Sequence, residues 1–382
     1  MNKGGKLNSN GFTIVELLVV IVVIGILAAI TIVAFNGVTA KAREAAMKSN
    51  LSSLQRKLAA ERVESESFPA SLSGAGVTAP DGGTYQYSVN NSVSPPTYCV
   101  SYVRDGVGYF INQDAQPAAG VCPGHSASGV ALTCPTNFIV VPGNSSFNTT
   151  DFCAMKYEAK NVGGVATSAV AGTPWDSITR ANAATASQGA CSGCHLITEN
   201  EWMTIAHNVL SVPSNWSGGA VGNGYIYSGH NDGSPGSSLA ANANDSDGYS
   251  GTGNSSGSQR RTLTLTNGQV IWDFSANAWE WTSGSIASNY PGTSGWNYRE
   301  WNTVALGGLD PKIAPSYGTP AASGWTSAQG LGQLYSRTDT SNTKAFTRGG
   351  GYGDTTGAGI FSLNLSANEG VSGAALGFRA TK

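Results

Sequence analysis

Charge is scarce in this chain. Only 12% of its 382 residues are Asp, Glu, Lys or Arg, about half the usual share, and the formal net charge is −2. There is no basic field to attract nucleic acid and no acidic run to act as a solvating tail. Histidine is scarcer still. His125, His195, His207 and His230 form neither an H-x-x-x-H nor an H-E-x-x-H cluster, the spacings that hold a catalytic metal on one helix face. Cysteine stops at Cys194, so the C-terminal stretch has no thiol with which to do chemistry.

What is plentiful is glycine, at 50 residues, together with nine Trp and fourteen Tyr. Such a composition describes a body rich in loops and strands. Its aromatics serve either as core or as ligand anchors carried on loops. The length suits two domains, each able to bury its own core. The six cysteines are Cys99, Cys122, Cys134, Cys153, Cys191 and Cys194. An even count suits an oxidising compartment, and 15 pairings are open. Nearest-neighbour pairing is the expectation: Cys99–Cys122, Cys134–Cys153 and Cys191–Cys194.

Near the start, Phe12 to Phe35 is 24 residues long with Glu16 as its only charge. As a helix it would reach about 36 Å, enough to cross a ~30 Å hydrocarbon core with every backbone group satisfied internally. The short leader before it carries Lys3 and Lys6 and no acid, which would hold it on the cytoplasmic side. The run is too long for a secretory signal, and Gly11 precedes it where a signal cleavage site would follow. Glu16 is costly in lipid and needs a partner.

Beyond Phe35 the helix should continue into water. Met47, Leu51, Leu54 and Leu58 recur at helical spacing among Lys41, Arg43, Glu44, Lys48 and Arg56, which predicts an apolar face lying on a sheet. Phe68-Pro69 and the Gly-rich 73–83 stretch end it. Thr84–Asn90, Tyr98–Val103 and Gly108–Asn112 read as strands, with Asp105-Gly106 as a hairpin turn between the last two. Helix followed by meander makes a small α+β head.

Gly11-Phe12-Thr13-Ile14-Val15-Glu16 and the apolar run after it resemble the start of type IV prepilins. In that family a dedicated peptidase cuts after the glycine, the new N-terminal Phe is methylated, and the glutamate pairs with a neighbouring subunit's amine. The resemblance implies cleavage and methylation at Gly11 and Phe12, and assembly through Glu16. Partners would be the prepilin peptidase and other pilin subunits. Tyr98-Cys99-Val100-Ser101 and Cys122-Pro123-Gly124-His125 also resemble the disulfide-closed end of a pilin head.

Further on come Met155-Lys156-Tyr157-Glu158, Leu196-Ile197-Thr198-Glu199-Asn200-Glu201-Trp202, Asn277-Ala278-Trp279-Glu280-Trp281, Arg348-Gly349-Gly350 and Gly377-Phe378-Arg379. In this order they resemble the formylglycine-generating, sulfatase-modifying family, whose fold is C-type-lectin-like. Thr198 with Glu201 also has capping-box spacing. The expected plan is α+β throughout. It runs as a leader over 1–11, a transmembrane and filament-core helix over 12–35, and a pilin-like head over 36–125. A linker over 126–133 and a mixed α+β lectin-like domain over 134–382 complete it.

The family's catalytic cysteine pair lies between its R-G-G and G-F-R motifs, and this chain has none there. Its chemistry therefore does not carry over, and the expectation is a binder rather than an enzyme. Retroelement-diversified variable proteins share the fold and present substituted residues just before G-F-R. That likeness makes Tyr352, Asp354, Thr355, Thr356, Asn364, Ser366, Asn368 and Glu369 candidate ligand contacts, although the same stretch also reads as a plain Gly-rich loop. Trp296, Tyr298 and Trp301 join them from a Gly/Asn/Ser-rich segment, whereas Trp279 and Trp281 read as core. In the enzyme family the positions of Asp273 and Glu280 bind calcium with intervening carbonyls, here those of Ala276 and Ala278. The alternative is that Asp273 caps the turn and Glu280 pairs with Arg348 or Arg379. A further ion could sit on the 242–247 loop. Cys191-Ser192-Gly193-Cys194-His195 matches a haem-attachment pattern but runs straight into a folded element, so a tight disulfide is the expectation.

The reading is a minor pilin or pilin-like adhesin, made as a single-pass membrane precursor and then displayed on the cell surface or pilus. Its distal domain would bind an external protein or glycan and no nucleic acid. A pseudopilin of a type II secretion system and a membrane-tethered modifying enzyme are the alternatives.

Overall fold

A computed structural model describes residues 14–72, 75–80, 82–91, 95–105, 107–122, 125, 132–292, 294–317, 324–338 and 342–382, with side chains from 41 onward and at 39. The leader, the cleavage site at Gly11 and Phe12, the Glu16 side chain and most of the expected linker lie outside them. Among the described residues no helix is long and apolar enough to cross a membrane. Contacts divide the chain into two units, Met1–Gly120 and Val121–Lys382.

The first unit is one helix, α1 (Ile14–Ser65), and an antiparallel sheet of β1 (Thr84–Asn90), β2 (Thr97–Arg104), β3 (Val107–Asn112) and β4 (Ala118–Ala119), in that order. The helical stripe does what its spacing predicts. Met47, Leu51, Leu54 and Leu58 are buried against Val100, Tyr102 and Ile111 of the sheet. Each such side chain contributes about 1.5–3 kcal/mol through burial. Arg104 pairs with Val107 across the β2–β3 ladder, leaving two residues for the turn. Asp105 there has φ +52°, the positive value that the primed hairpin turns need at their first central position.

The second unit contains β5 (Phe138–Val141), β6 (Phe152–Met155), β7 (Ala159–Val162), β8 (Val165–Ser168), α2 (Arg180–Ala190), β9 (His195–Leu196), α3 (Glu199–Leu210), β10 (Thr262–Thr264) and β11 (Val270–Trp272). It continues with β12 (Trp279–Ile286), β13 (Asn297–Arg299), β14 (Leu334–Ser336), β15 (Lys344–Arg348), β16 (Leu363–Asn364), β17 (Leu376–Phe378) and β18 (Ala380–Thr381). One sheet runs β5-β6-β18-β9 and a larger one β13-β14-β16-β15-β12-β17, with β7–β8 and β10–β11 as separate hairpins. The motifs of the sequence become the junctions of this body. Thr198 and Glu201 form a reciprocal capping box at the start of α3, and Trp202, Met203, Ile205, Ala206 and Val209 are fully buried. A helix buried on all sides belongs in the middle of a domain.

The scarce charge is used internally. Arg261 pairs with Asp273, Arg348 with Glu199 and Arg379 with Glu280, and all three guanidinium groups are buried. Each also donates to backbone carbonyls of irregular segments: Arg261 to Leu239, Ala240 and Ser250, Arg348 to Ile313 and Phe361, Arg379 to Met155 and Trp272. A loop-rich body has few ladders to satisfy its carbonyls, and a five-donor fork does so at several points at once.

Disulfides join Cys134 to Cys153 and Cys191 to Cys194. Cys99 and Cys122 are disulfide-bonded too, and no described cysteine is free. Cys191–Cys194 is thus a disulfide, and His195 pairs instead with Glu201 at 3.0 Å.

Candidate functional site

The site is built on β13 and β14, the edge of the six-stranded sheet. Their antiparallel register sets Tyr298 directly opposite Tyr335, with ring centroids 4.8 Å apart. Trp296 stacks on the same Tyr335 at 5.7 Å and 19°. Arg337 lies over Trp296 at 4.9 Å, and the Lys344 ammonium lies over it at 5.7 Å while donating to Asn368. At the other end the Tyr298 hydroxyl donates to Asp354 at 2.6 Å. Burial, and then the hydrogen bond to Asp354, push the Tyr298 phenol well above its ordinary range, so it stays a donor. The strip thus runs from Asn368 and Lys344 through Trp296, Tyr335 and Tyr298 to Asp354, polar at both ends and aromatic between them.

Behind it, the loop after Arg348 is shaped by glycine. Gly350 has φ +97°, and a Cβ there would lie 2.5 Å from Ala358. Asp354 accepts from the Gly351 amide at 2.6 Å and closes the turn. Thr355 exchanges hydrogen bonds with Asn231: the Thr355 amide donates to the Asn231 carbonyl, and the Asn231 side chain donates back to the Thr355 carbonyl. Tyr352 stacks on His230 at 6.1 Å.

Thr355 and Thr356 thereby line a cleft of about 420 Å³ whose other walls come from Tyr225, Ile226, Ser228, Asn231, Asp232, Ser258, Gln259, Ser327, Ala328, Gly330 and Ala358. That volume is in the range of small-molecule sites. Its floor needs glycine at 330: φ is +75°, and a Cβ would meet the Ile226 carbonyl at 2.2 Å. One wall is pinned by Glu300, which accepts from the Ser327 amide at 2.9 Å and from Gln333 at 2.6 Å. Asp232 is held below the usual carboxylate range by the Ser234 amide and then by the Gln259 side chain.

The expected contact residues therefore separate. Trp296, Tyr298, Asp354, Thr355, Thr356 and Asn368 fall on the strip or the cleft, whereas Tyr352 stacks on His230 and belongs to neither. Trp301 does not: it is only 9% exposed and packs among Ile286, Leu309, Leu334 and Phe346. Asn364 sits within the sheet between Tyr335 and Thr347, where its side chain accepts from the Ser366 amide. Glu369 is engaged by Arg180. Trp281 is core, whereas Trp279 is half-buried beside Gly351. Sequence reasoning missed Tyr335, Arg337, Lys344 and, in the cleft, Tyr225, Asp232 and Gln259.

The calcium set does not fit its ion. Both Asp273 oxygens accept from Arg261, both Glu280 oxygens accept from Arg379, and the Ala276 carbonyl accepts from the Ala278 amide. A cation would have to displace two buried guanidinium groups. On the 242–247 loop, Asp245 is likewise held by Lys156 and the Trp272 indole, and Asp247 by Asn242.

No curated protein matches the chain. Among solved structures, the P3c variant of the Major Tropism Determinant aligns over 80% of this chain and 73% of its own, at 16% identity and a TM-score of 0.34. The U1 variant aligns over the same shares at 16% and 0.33. Variable protein 1 of Treponema denticola aligns over 74% of this chain and 98% of its own, at 12% and 0.28. Residues 6–32 match the prokaryotic N-terminal methylation motif, so the chain opens as a prepilin-like protein.

Proposed function

We propose that the chain is a minor pilin or pilin-like surface subunit that carries a C-type-lectin-like domain as an adhesin. One observation carries the reading. Residues 14–32 of the methylation motif belong to a 52-residue helix whose outer half is fixed on a sheet by Met47, Leu51, Leu54 and Leu58. In this reading the precursor is anchored by residues 12–35 and cut after Gly11 by a prepilin peptidase. It then joins other subunits through methylated Phe12 and Glu16, and ends on the cell surface. The Trp296–Tyr335–Tyr298 strip and the adjoining cleft contact an external ligand. Aromatic faces give large contact area for little lost side-chain freedom. The chain acts by binding, without catalysis.

The test is the mature N-terminus. Mass spectrometry of protein from the parent cells should find N-methylated Phe12, and an antibody against residues 134–382 should label intact cells. Uncut protein in cells with an active prepilin peptidase, or labelling only after lysis, refutes the reading.

A further inference from the structure

Resting on the reading of the C-terminal unit as a surface-exposed binding domain, we propose that its cleft takes a sugar ring of a neutral glycan, held without a metal ion. The carrying observation is Gln259. Its side chain lies beside Asp232 and helps hold that carboxyl low, while its carbonyl oxygen is buried with no hydrogen-bond partner, in a residue 8% exposed on the cleft wall. A buried acceptor without a donor is costly, and native proteins keep few of them, so the cleft calls for a ligand that donates there.

The surroundings narrow its class. Asp232 keeps an exposed, ionised carboxylate beside Gln259, a second acceptor for the same ligand. The other polar walls are small hydroxyls, those of Ser228, Ser258, Thr355 and Thr356, which both donate and accept. Tyr225, Ile226, Ala328 and Ala358 supply apolar surface for C–H faces. Among the described residues no lysine, arginine or histidine lines the cleft. The nearby Arg260 lies over Tyr227 at 3.8 Å and donates to the carbonyls of Ser214 and Thr262. An anionic ligand would therefore meet Asp232 and no counter-charge from these walls. A ring with several hydroxyl donors and an apolar face satisfies every wall. The buried acceptor is an amide carbonyl rather than a carboxylate, which favours neutral hydroxyl donors over a cationic peptide side chain.

The experiment applies the purified mature chain, in detergent and EDTA, to an array of oligosaccharides ending in neutral hexoses or N-acetylhexosamines. Sialylated and sulfated glycans and basic peptides share the array. Binding to one or more neutral glycans is expected. It should weaken at least tenfold in Ala328→Arg, which fills the cleft from an exposed position, and in Gln259→Leu, with the tryptophan-detected melt of Ala328→Arg unchanged. Three results overturn the proposal: no neutral glycan binds, anionic glycans bind better, or Ala328→Arg binds as the parent does. Basic-peptide binding that Ala328→Arg abolishes overturns the sugar assignment and leaves the binding domain standing. Failure of the chain to reach the cell surface instead removes the adhesin reading alone.

Discussion

Arg379 offers a test of how the C-terminal unit is held together. Its guanidinium makes two hydrogen bonds to Glu280, at 2.9 and 3.2 Å, and donates to the Trp272 carbonyl at 2.9 Å and the Met155 carbonyl at 2.6 Å. Both members of the pair are essentially inaccessible to water. Arg379→Met keeps the volume but strands a buried carboxylate and two carbonyls. Breaking such a pair from one side costs about 3–5 kcal/mol. Replacing both partners with apolar groups removes the stranded charge, so Arg379→Met with Glu280→Leu should recover most of that loss. All nine tryptophans lie between Trp175 and Trp325, so urea titration followed by tryptophan emission reports this unit alone. A loss below about 1 kcal/mol in the single variant would refute the reasoning, as would a double variant at least as unstable as the single one.

EDTA should leave the same tryptophan melt unchanged, because arginines already occupy the Asp273 and Glu280 oxygens; a fall of more than about 5 °C would show a resident cation. The His195–Glu201 pair gives a pH signature. The hydrogen bond to Glu201 raises His195 from 6.5. Burial pushes Glu201 up, but its bonds with His195 and Thr198 outweigh burial and hold it below 4.5. Stability from His195 is therefore complete below pH 6.5 and lost as pH rises through the raised value, while that from Glu201 fades below pH 4.5. Burial drives His207 the other way, to about 4, so the informative quantity is the parent's melting profile minus that of His195→Asn. That difference should shrink above pH 6.5, and a flat one would exclude the ion pair. In the first unit Leu51→Ala should cost about 2–5 kcal/mol and speed hydrogen exchange in β2 and β3; unchanged exchange would mean the helix does not rest on that sheet.

Legibility in the sequence follows periodicity. Met47, Leu51, Leu54 and Leu58 announce a helix face because helical spacing needs no knowledge of the partner, and the alternation of Tyr85, Tyr87 and Val89 does the same for β1. The Thr198–Glu201 box is readable because its chemistry spans three residues. The cleft has no such signal. Its walls come from 225–232, 258–259, 327–330 and 355–358, brought together by turns rather than by any period. Tyr335 looks like any tyrosine until the β13–β14 register sets it between Trp296 and Tyr298. Trp301 misleads for the converse reason: a Gly/Asn/Ser-rich context marks a loop but does not say which side of it faces inward. Asp273 and Glu280 keep a carboxylate motif whose partners, Arg261 and Arg379, lie 12 and 99 residues away along the chain.

The position of β18 bears on how the protein is made. Ala380 and Thr381 run inside a sheet, between β6 and β9, and Lys382 exchanges two backbone hydrogen bonds with Cys153. During synthesis, β6 emerges more than two hundred residues before the strand that covers it. Until the ribosome has delivered β18, the edges of β6 and β9 stay open to pairing with another chain. A half-built sheet therefore persists through almost the whole synthesis of this unit, and a chaperone that covers the open edges of β6 and β9 over that interval would raise the yield of folded protein.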